Sequence, residues 1–218
     1  MKKFTLKKII ILVLCYIIAA GFQTLSLRAD IGVCAVWDTI SLNVYQICGI
    51  KVGYVSIMGN TFCVLLQYLL LRKEFTADRL LQIPMGVLFG VAVNFFYYDL
   101  FIFEPANYFI RVLLCVISYL GLAVFVGMST YMDLIPTPPE AFCNALEKKK
   151  GIPFGKSRMA TDILCMAASV LLSLIFAKSL KVREGTAIGM LLLGPLMGVC
   201  MKFYGKHFPR LGPEEAKA

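Results

Sequence analysis

Three acidic residues of this 218-residue chain are candidates for binding chemistry, and one of them, Asp162, lies within a long apolar stretch, where a charged side chain is costly to insert and commonly serves binding or proton transfer. They are Asp38, Glu140 and Asp162. A carboxylate in such surroundings can take up a proton or bind a cationic group. One tryptophan and two asparagines complete the predicted site. The candidate substrate-binding residues are therefore Trp37, Asp38, Asn60, Asn94, Glu140 and Asp162.

Each of these carboxylates also has a simpler explanation. Asp38 and Glu140 could be acidic residues near helix N-termini, where the helix dipole favours them. Asp162 follows Arg158 by four residues, so the two could form a local ion pair on one helix face. The sequence leaves the functional and the local interpretation open.

The composition places these residues in a membrane protein. Hydrophobic residues make up 59% of the chain and charged residues 16%, with a mean hydropathy of +0.78. An ordinary soluble domain has about 45–50% apolar and about 25% charged residues. Because a spanning helix needs roughly 17–25 mostly apolar residues, the sequence can be searched for spans directly.

Six spans are predicted, and they leave no room for a separate soluble domain. The charged N-terminus followed by a long apolar run resembles a signal peptide, but the run is long enough to be an uncleaved first helix. The predicted spans are Ile9 to Leu27, Gly53 to Leu71, Leu80 to Tyr98, Val112 to Met132, Met159 to Ala177 and Gly185 to Met201.

The distribution of Lys and Arg predicts the orientation. With the N-terminus inside, sixteen of the 22 basic residues fall on the cytoplasmic side, as the positive-inside rule requires. We therefore expect a bacterial inner-membrane protein with both termini in the cytoplasm. Topology, together with anionic lipid headgroups, accounts for the net charge of +9, so a nucleic-acid partner is not expected.

A short phrase occurs twice. Gly49, Ile50 and Gly53 return as Gly151, Ile152 and Gly155, each 102 positions further on, and Cys63 returns as Cys165. The acidic or polar pairs Asp38/Glu140 and Asn60/Asp162 have the same spacing. Each copy follows the first span of a three-span half, and an odd number of spans inverts the second half in the membrane. The predicted units are residues 1–104, residues 105–204 and a cytoplasmic tail, 205–218.

The segments that carry the two copies are too short to cross a bilayer. Twelve residues from Trp37 to Cys48 reach only about 18 Å as a helix. Such a segment is either an interfacial helix or a re-entrant half-helix that lines a cavity. We expect Gly49, Gly53, Gly151 and Gly155 to serve tight turns and close helix packing.

The two copies resemble the signature phrases of the YczE/YitT-like family of bacterial multi-pass membrane proteins. "GVCAVWDTISLNVYQICGIKVG" is similar to that family's Gly-x-x-Pro-Trp-Asp phrase with its short helix and Gly-x-x-x-Gly turn, and "IPTPPEAFCNALEKKKGIPFG" to its Gly-Pro-Arg-Asp phrase. Val36, Pro139 and Glu140 depart from the pattern; Pro139 stands where an arginine that could bind a ligand is expected. The family is largely uncharacterised, so the resemblance implies architecture more than activity.

Enzymatic chemistry has little support. The single histidine, His207, cannot form a multi-histidine metal site or a His-based triad within a monomer, and the eight cysteines contain no Cys-x-x-Cys motif. We expect no enzyme activity, no cofactor and no metal. Asp38 with Glu140 is the one visible catalytic pair for an intramembrane enzyme, and inverted topology separates them unless both short segments re-enter the membrane.

The sequence thus predicts an all-α integral membrane protein of two inverted three-helix repeats. Its expected function is transport or export of a small solute by alternating access, with proton coupling through Asp162. A non-transporting membrane scaffold or regulatory protein is the alternative. The expected partners are the lipid bilayer and the solute, and Gly86 to Gly90 would serve internal packing or a homo-oligomer.

Overall fold

Eight α-helices form the described part of the protein, which in this computed structural model comprises residues 6–32, 36–177, 182–209 and 211. Most of the predicted tail, residues 212–218, lies outside it. No strand occurs among the described residues. The helices are α1 (Leu6–Ala29), α2 (Val36–Cys48), α3 (Val52–Leu71), α4 (Gln82–Phe95), α5 (Tyr108–Met132), α6 (Pro138–Lys150), α7 (Phe154–Ile175) and α8 (Glu184–His207).

Six of these segments are long and apolar enough to cross a membrane, as the sequence predicted. They are α1, α3, α4 with its flanking short turns, α5, α7 and α8. Large apolar side chains on their outer faces are exposed, for example Leu174 at 72% and Leu191 at 75%. A water-soluble monomer rarely exposes so much contiguous apolar surface, whereas a lipid-facing helix does. The fold is therefore that of a multi-pass membrane protein.

The fifth membrane span, α7, begins earlier than the sequence predicted. α7 starts at Phe154, after Pro153, and ends at Ile175. Asp162 is therefore the ninth residue of the helix, about 12 Å along its axis. The early start places Arg158 inside the same helix, one turn before Asp162.

α1 and α5 pack against each other at the centre of the bundle, α4 packs on α3 and α1, and α8 packs on α5. Small residues allow the close approach of neighbouring helices. A Cβ atom on Gly53 would collide with the carbonyl oxygen of Gly90, and one on Gly90 would lie 2.5 Å from the carbonyl oxygen of Gly53. The predicted Gly86–Gly90 packing motif thus faces α3 within the same chain.

The two short helices are each 13 residues long and fold back beside the helix that follows them. Gly49 and Gly151 end them with φ of +71° and +67°, a left-handed conformation that glycine adopts readily. Each short helix also packs against a spanning helix from the other half of the chain: α2 packs on α7, and α6 packs on α3. Four helices from two distant parts of the chain therefore interlock.

Candidate functional site

The N-terminal ends of α2 and α6 meet at one internal cavity. It has a volume of about 160 Å³ and is walled by α1, α3, α4, α5 and α7. The Trp37 ring reaches it by packing on Gly59, the eighth residue of α3 and about 10 Å along that helix. α2 therefore begins beside α3, about 10 Å from the start of that spanning helix, and both short helices end at exposed turns.

Asp38 is the most buried charged side chain of this cavity. It is 6% exposed, and its Oδ2 atom has no hydrogen-bond partner among the described residues. Burial raises the pKa of the Asp38 carboxyl to about 7. A carboxylic acid with a vacant acceptor can exchange between a protonated form and a form that binds a cation.

An ion-pair cluster also lines this cavity. Nε of Arg158 lies 3.4 Å from Oδ2 of Asp162, and Nη1 of Arg158 lies 4.0 Å from Oε1 of Glu140. The hydroxyl of Thr137 donates to the other carboxylate oxygen of Glu140. The local pair predicted for Arg158 and Asp162 is thus present, and it lines the cavity.

A buried amide network anchors the start of α6. Nε2 of Gln67 donates to the carbonyl oxygen of Pro138 at 3.2 Å and to Oε1 of Gln82 at 3.0 Å. Arg79 donates to Oε1 of Gln67 at 2.9 Å. Because Gln67 and Gln82 are almost completely buried, these bonds hold α6 against α3 and α4.

A second buried amide anchors α2. Nδ2 of Asn43 donates to the backbone carbonyl and the hydroxyl of Ser169, and Ser173 donates to Oδ1 of Asn43. All three side chains are buried. They tie α2 to α7, far along the chain.

Five of the six predicted site residues line the cavity: Trp37, Asp38, Asn60, Glu140 and Asp162. The sixth, Asn94, does not. Its Oδ1 accepts the backbone N–H of Gly53 at 2.8 Å, so it satisfies a free donor at the start of α3. Gly53 is closely packed, whereas a Cβ atom on Gly155 would meet nothing within 4 Å.

A wider cavity of about 430 Å³ adjoins the first on the side of α8. The two share Glu140, Arg158 and Asp162, and the wider one continues between α5, α6, α7 and the glycine-containing face of α8. The ion-pair cluster therefore stands where the two spaces meet.

Sequence reasoning missed the two amide anchors. The motifs of the sequence single out neither Asn43 nor Gln67. A buried amide in an apolar helix must find a partner, so each was a signal of a helix contact. Among the described residues no group of His, Cys, Asp or Glu is placed to hold a metal ion.

The arrangement is that of a helical membrane protein with an internal cavity whose mainly apolar wall carries three carboxylates and one guanidinium. The chain belongs to DUF6198, a family of unknown function, whose model matches residues 6–202. Neither the curated proteins nor the solved structures contain a match to it.

Proposed function

We propose that this protein is a transporter of a small solute that works by alternating access around the cavity between α2 and α6. The observation that carries the proposal is that two half-length helices begin at the same internal cavity. Backbone that ends at membrane depth is tolerated where it lines a cavity, and discontinuous helices of this kind form substrate sites in transporters. The two short segments are accordingly re-entrant.

The same contacts support two inverted halves, residues 1–104 and 105–204. α2 packs on α7 while its counterpart α6 packs on α3. Gly49 and Gly151 have matching left-handed conformations, and Cys63 and Cys165 are both buried. A pseudo-twofold axis through the cavity would produce these correspondences. The resemblance to the YczE/YitT-like family agrees with this architecture.

The ion-pair cluster suits proton coupling. Asp162 and Glu140 both approach the guanidinium of Arg158. Protonation of Asp162 would release Arg158 to Glu140 and change the contact between α6 and α7. Such an exchange between two arrangements links the protonation of a carboxyl to a movement of the half-helix.

The positive-inside distribution supports a bacterial inner-membrane location with cytoplasmic termini, in which α2 opens to the outside and α6 to the cytoplasm. The scaffold alternative requires no ligand in the cavity and no flux. An intramembrane enzyme would need Asp38 and Glu140 to act together on one substrate. Oδ2 of Asp38, which has no partner in the part of the chain that the structure describes, and the wide adjoining cavity favour passage of a solute over either.

The test is flux through the purified protein in proteoliposomes, measured with a panel of small labelled solutes with and without a pH gradient. We expect uptake of at least one solute, accelerated by the gradient, and loss of the acceleration in Asp162→Asn. Asn keeps the size and hydrogen bonding of Asp but removes its charge. The matched control is Glu147→Gln, because Glu147 is an exposed acidic residue on α6. Absence of flux for every solute would favour the scaffold.

A further inference from the structure

We infer that the ligand of the cavity is a small organic cation, with its ammonium group bound by the Asp38 carboxylate and the Trp37 ring. This inference rests on the proposed function and names its substrate class.

The charges of the lining point to a cation. The cavity has three carboxylates and one guanidinium, so its formal charge is −2 when all are ionised. Arg158 is already shared by Glu140 and Asp162, and Glu140 also accepts a bond from Thr137. Among the described residues, Asp38 is therefore the carboxylate of this lining that has a buried oxygen without a hydrogen-bond donor.

The start of α6 is poorly suited to an anion. A helix N-terminus binds anions through its free N–H groups. Here the first two helical residues are Pro138 and Pro139, which have none. The N–H of Ala141 is already bonded to the carbonyl oxygen of Thr137. One ordinary source of anion affinity in discontinuous helices is thus largely removed at α6.

A transition-metal cation is also a poor fit, because the described residues contain no group of three or more His, Cys, Asp or Glu placed to hold one. An ammonium group needs less: one carboxylate and the face of an aromatic ring. Trp37, Tyr16 and Phe89 all line the cavity. Tryptophan is the best of the aromatic partners for a cation.

The volume limits the size of the ligand. A cavity of about 150 Å³ can hold benzene, so one of 160 Å³ accommodates a ligand of about six non-hydrogen atoms. Tetramethylammonium is a suitable probe. tert-Butanol has nearly the same shape without charge, and isobutyrate is an anion of similar size.

Trp37 provides a direct readout because it is the only tryptophan in the chain. We would titrate tetramethylammonium into the purified protein in nanodiscs at pH 8 and record its fluorescence. We expect a saturable change that is at least tenfold weaker in affinity in Asp38→Asn and unchanged in Glu147→Gln. Neither tert-butanol nor isobutyrate should produce it at the same concentrations.

A second variant keeps the test decisive if Asp38→Asn does not fold. Asp38→Glu retains the charge and should bind tetramethylammonium more tightly than Asp38→Asn or, if only Asp38→Glu folds, with measurable affinity. An equal response to tert-butanol, a stronger response to isobutyrate, or binding that is unaffected in Asp38→Asn would each overturn the inference.

Flux measurements distinguish a failure of this inference from a failure of the proposed function. Saturable binding of tetramethylammonium without movement of any solute would sustain the cation site and refute transport. Flux of neutral or anionic solutes, with no tetramethylammonium response at Trp37, would sustain transport and overturn the cation site.

Discussion

The side-chain amide of Asn43 donates from Nδ2 to the carbonyl oxygen of Ser169 at 2.9 Å and to its hydroxyl at 2.7 Å, although 126 positions separate the two residues. This pair joins the first short helix to the second half of the chain. Its replacement therefore tests whether a single polar contact holds α2 in place.

Asn43→Leu should lower the stability of the protein by about 0.6–2 kcal/mol, the range of interhelical hydrogen bonds in membrane proteins. The loss arises because Ser169 and Ser173 lose a buried partner. Melting followed by size-exclusion chromatography in detergent would measure it. Asn144→Leu, at an exposed asparagine of the other short helix, is the control and should change the melting temperature little.

Gly53→Ala and Gly155→Ala form a matched pair, because the two glycines occupy equivalent positions in the repeated phrase. A Cβ atom on Gly53 would collide with the backbone of Gly90, so we expect a loss of about 1–3 kcal/mol or more. At Gly155 the space is open, and alanine should be neutral or stabilising by up to about 1 kcal/mol. The melting temperatures of the two variants would be compared under identical conditions. Equal destabilisation would contradict the packing described for α3 and α4.

Ile50 and Ile152 test the inverted arrangement. They are aligned residues of the two phrases and are exposed by 38% and 41%. In a chain otherwise free of cysteine, Ile50→Cys should react with an impermeant maleimide in intact cells, whereas Ile152→Cys should react only after the membrane is opened. The comparison is controlled by labelling both variants after permeabilisation. Reaction of both from the same side would remove the inverted repeat.

Asp38 should make stability depend on pH. Its pKa is raised in the folded protein, so folding favours the protonated form. The stabilising contribution is complete below about pH 4 and is lost as the pH rises through about 7. The melting temperature should therefore fall from pH 6 to pH 8, and Asp38→Asn should reduce this dependence.

Comparing the unsubstituted protein with Asp38→Asn isolates the contribution of Asp38 to the pH dependence, although other titratable groups lie nearby. Tyr16 of α1, Glu140 of α6, and Arg158 and Asp162 of α7 line the same cavity and are common to both proteins. Glu147→Gln should melt with the same pH dependence as the unsubstituted protein. A dependence that is unchanged in Asp38→Asn would assign it to another group.

Hydropathy and length were sufficient to predict the six spans, because lipid imposes a simple rule on helix length and composition. The short helices followed from the 12 residues before Gly49 and from the prolines near 138. Their convergence on one cavity did not follow, because it depends on contacts between residues more than 100 positions apart. Asn94 shows the limit clearly: its polarity was evident, but its use by the N–H of Gly53 is a tertiary property.

The packing of α4 and of α8 differs, so the two halves of the chain should differ in stiffness. In the first half, α4 is locked to α3 by backbone contact at Gly53 and Gly90. In the second half, α8 packs on α5, no comparable contact between α8 and α7 occurs among the described residues, and Pro195 interrupts the hydrogen-bond ladder of α8. α8 can therefore pivot on α5 without breaking a packed interface with α7. A rocking motion should be largest at α8, and the rigid α3–α4 pair should act as the fixed frame against which it moves.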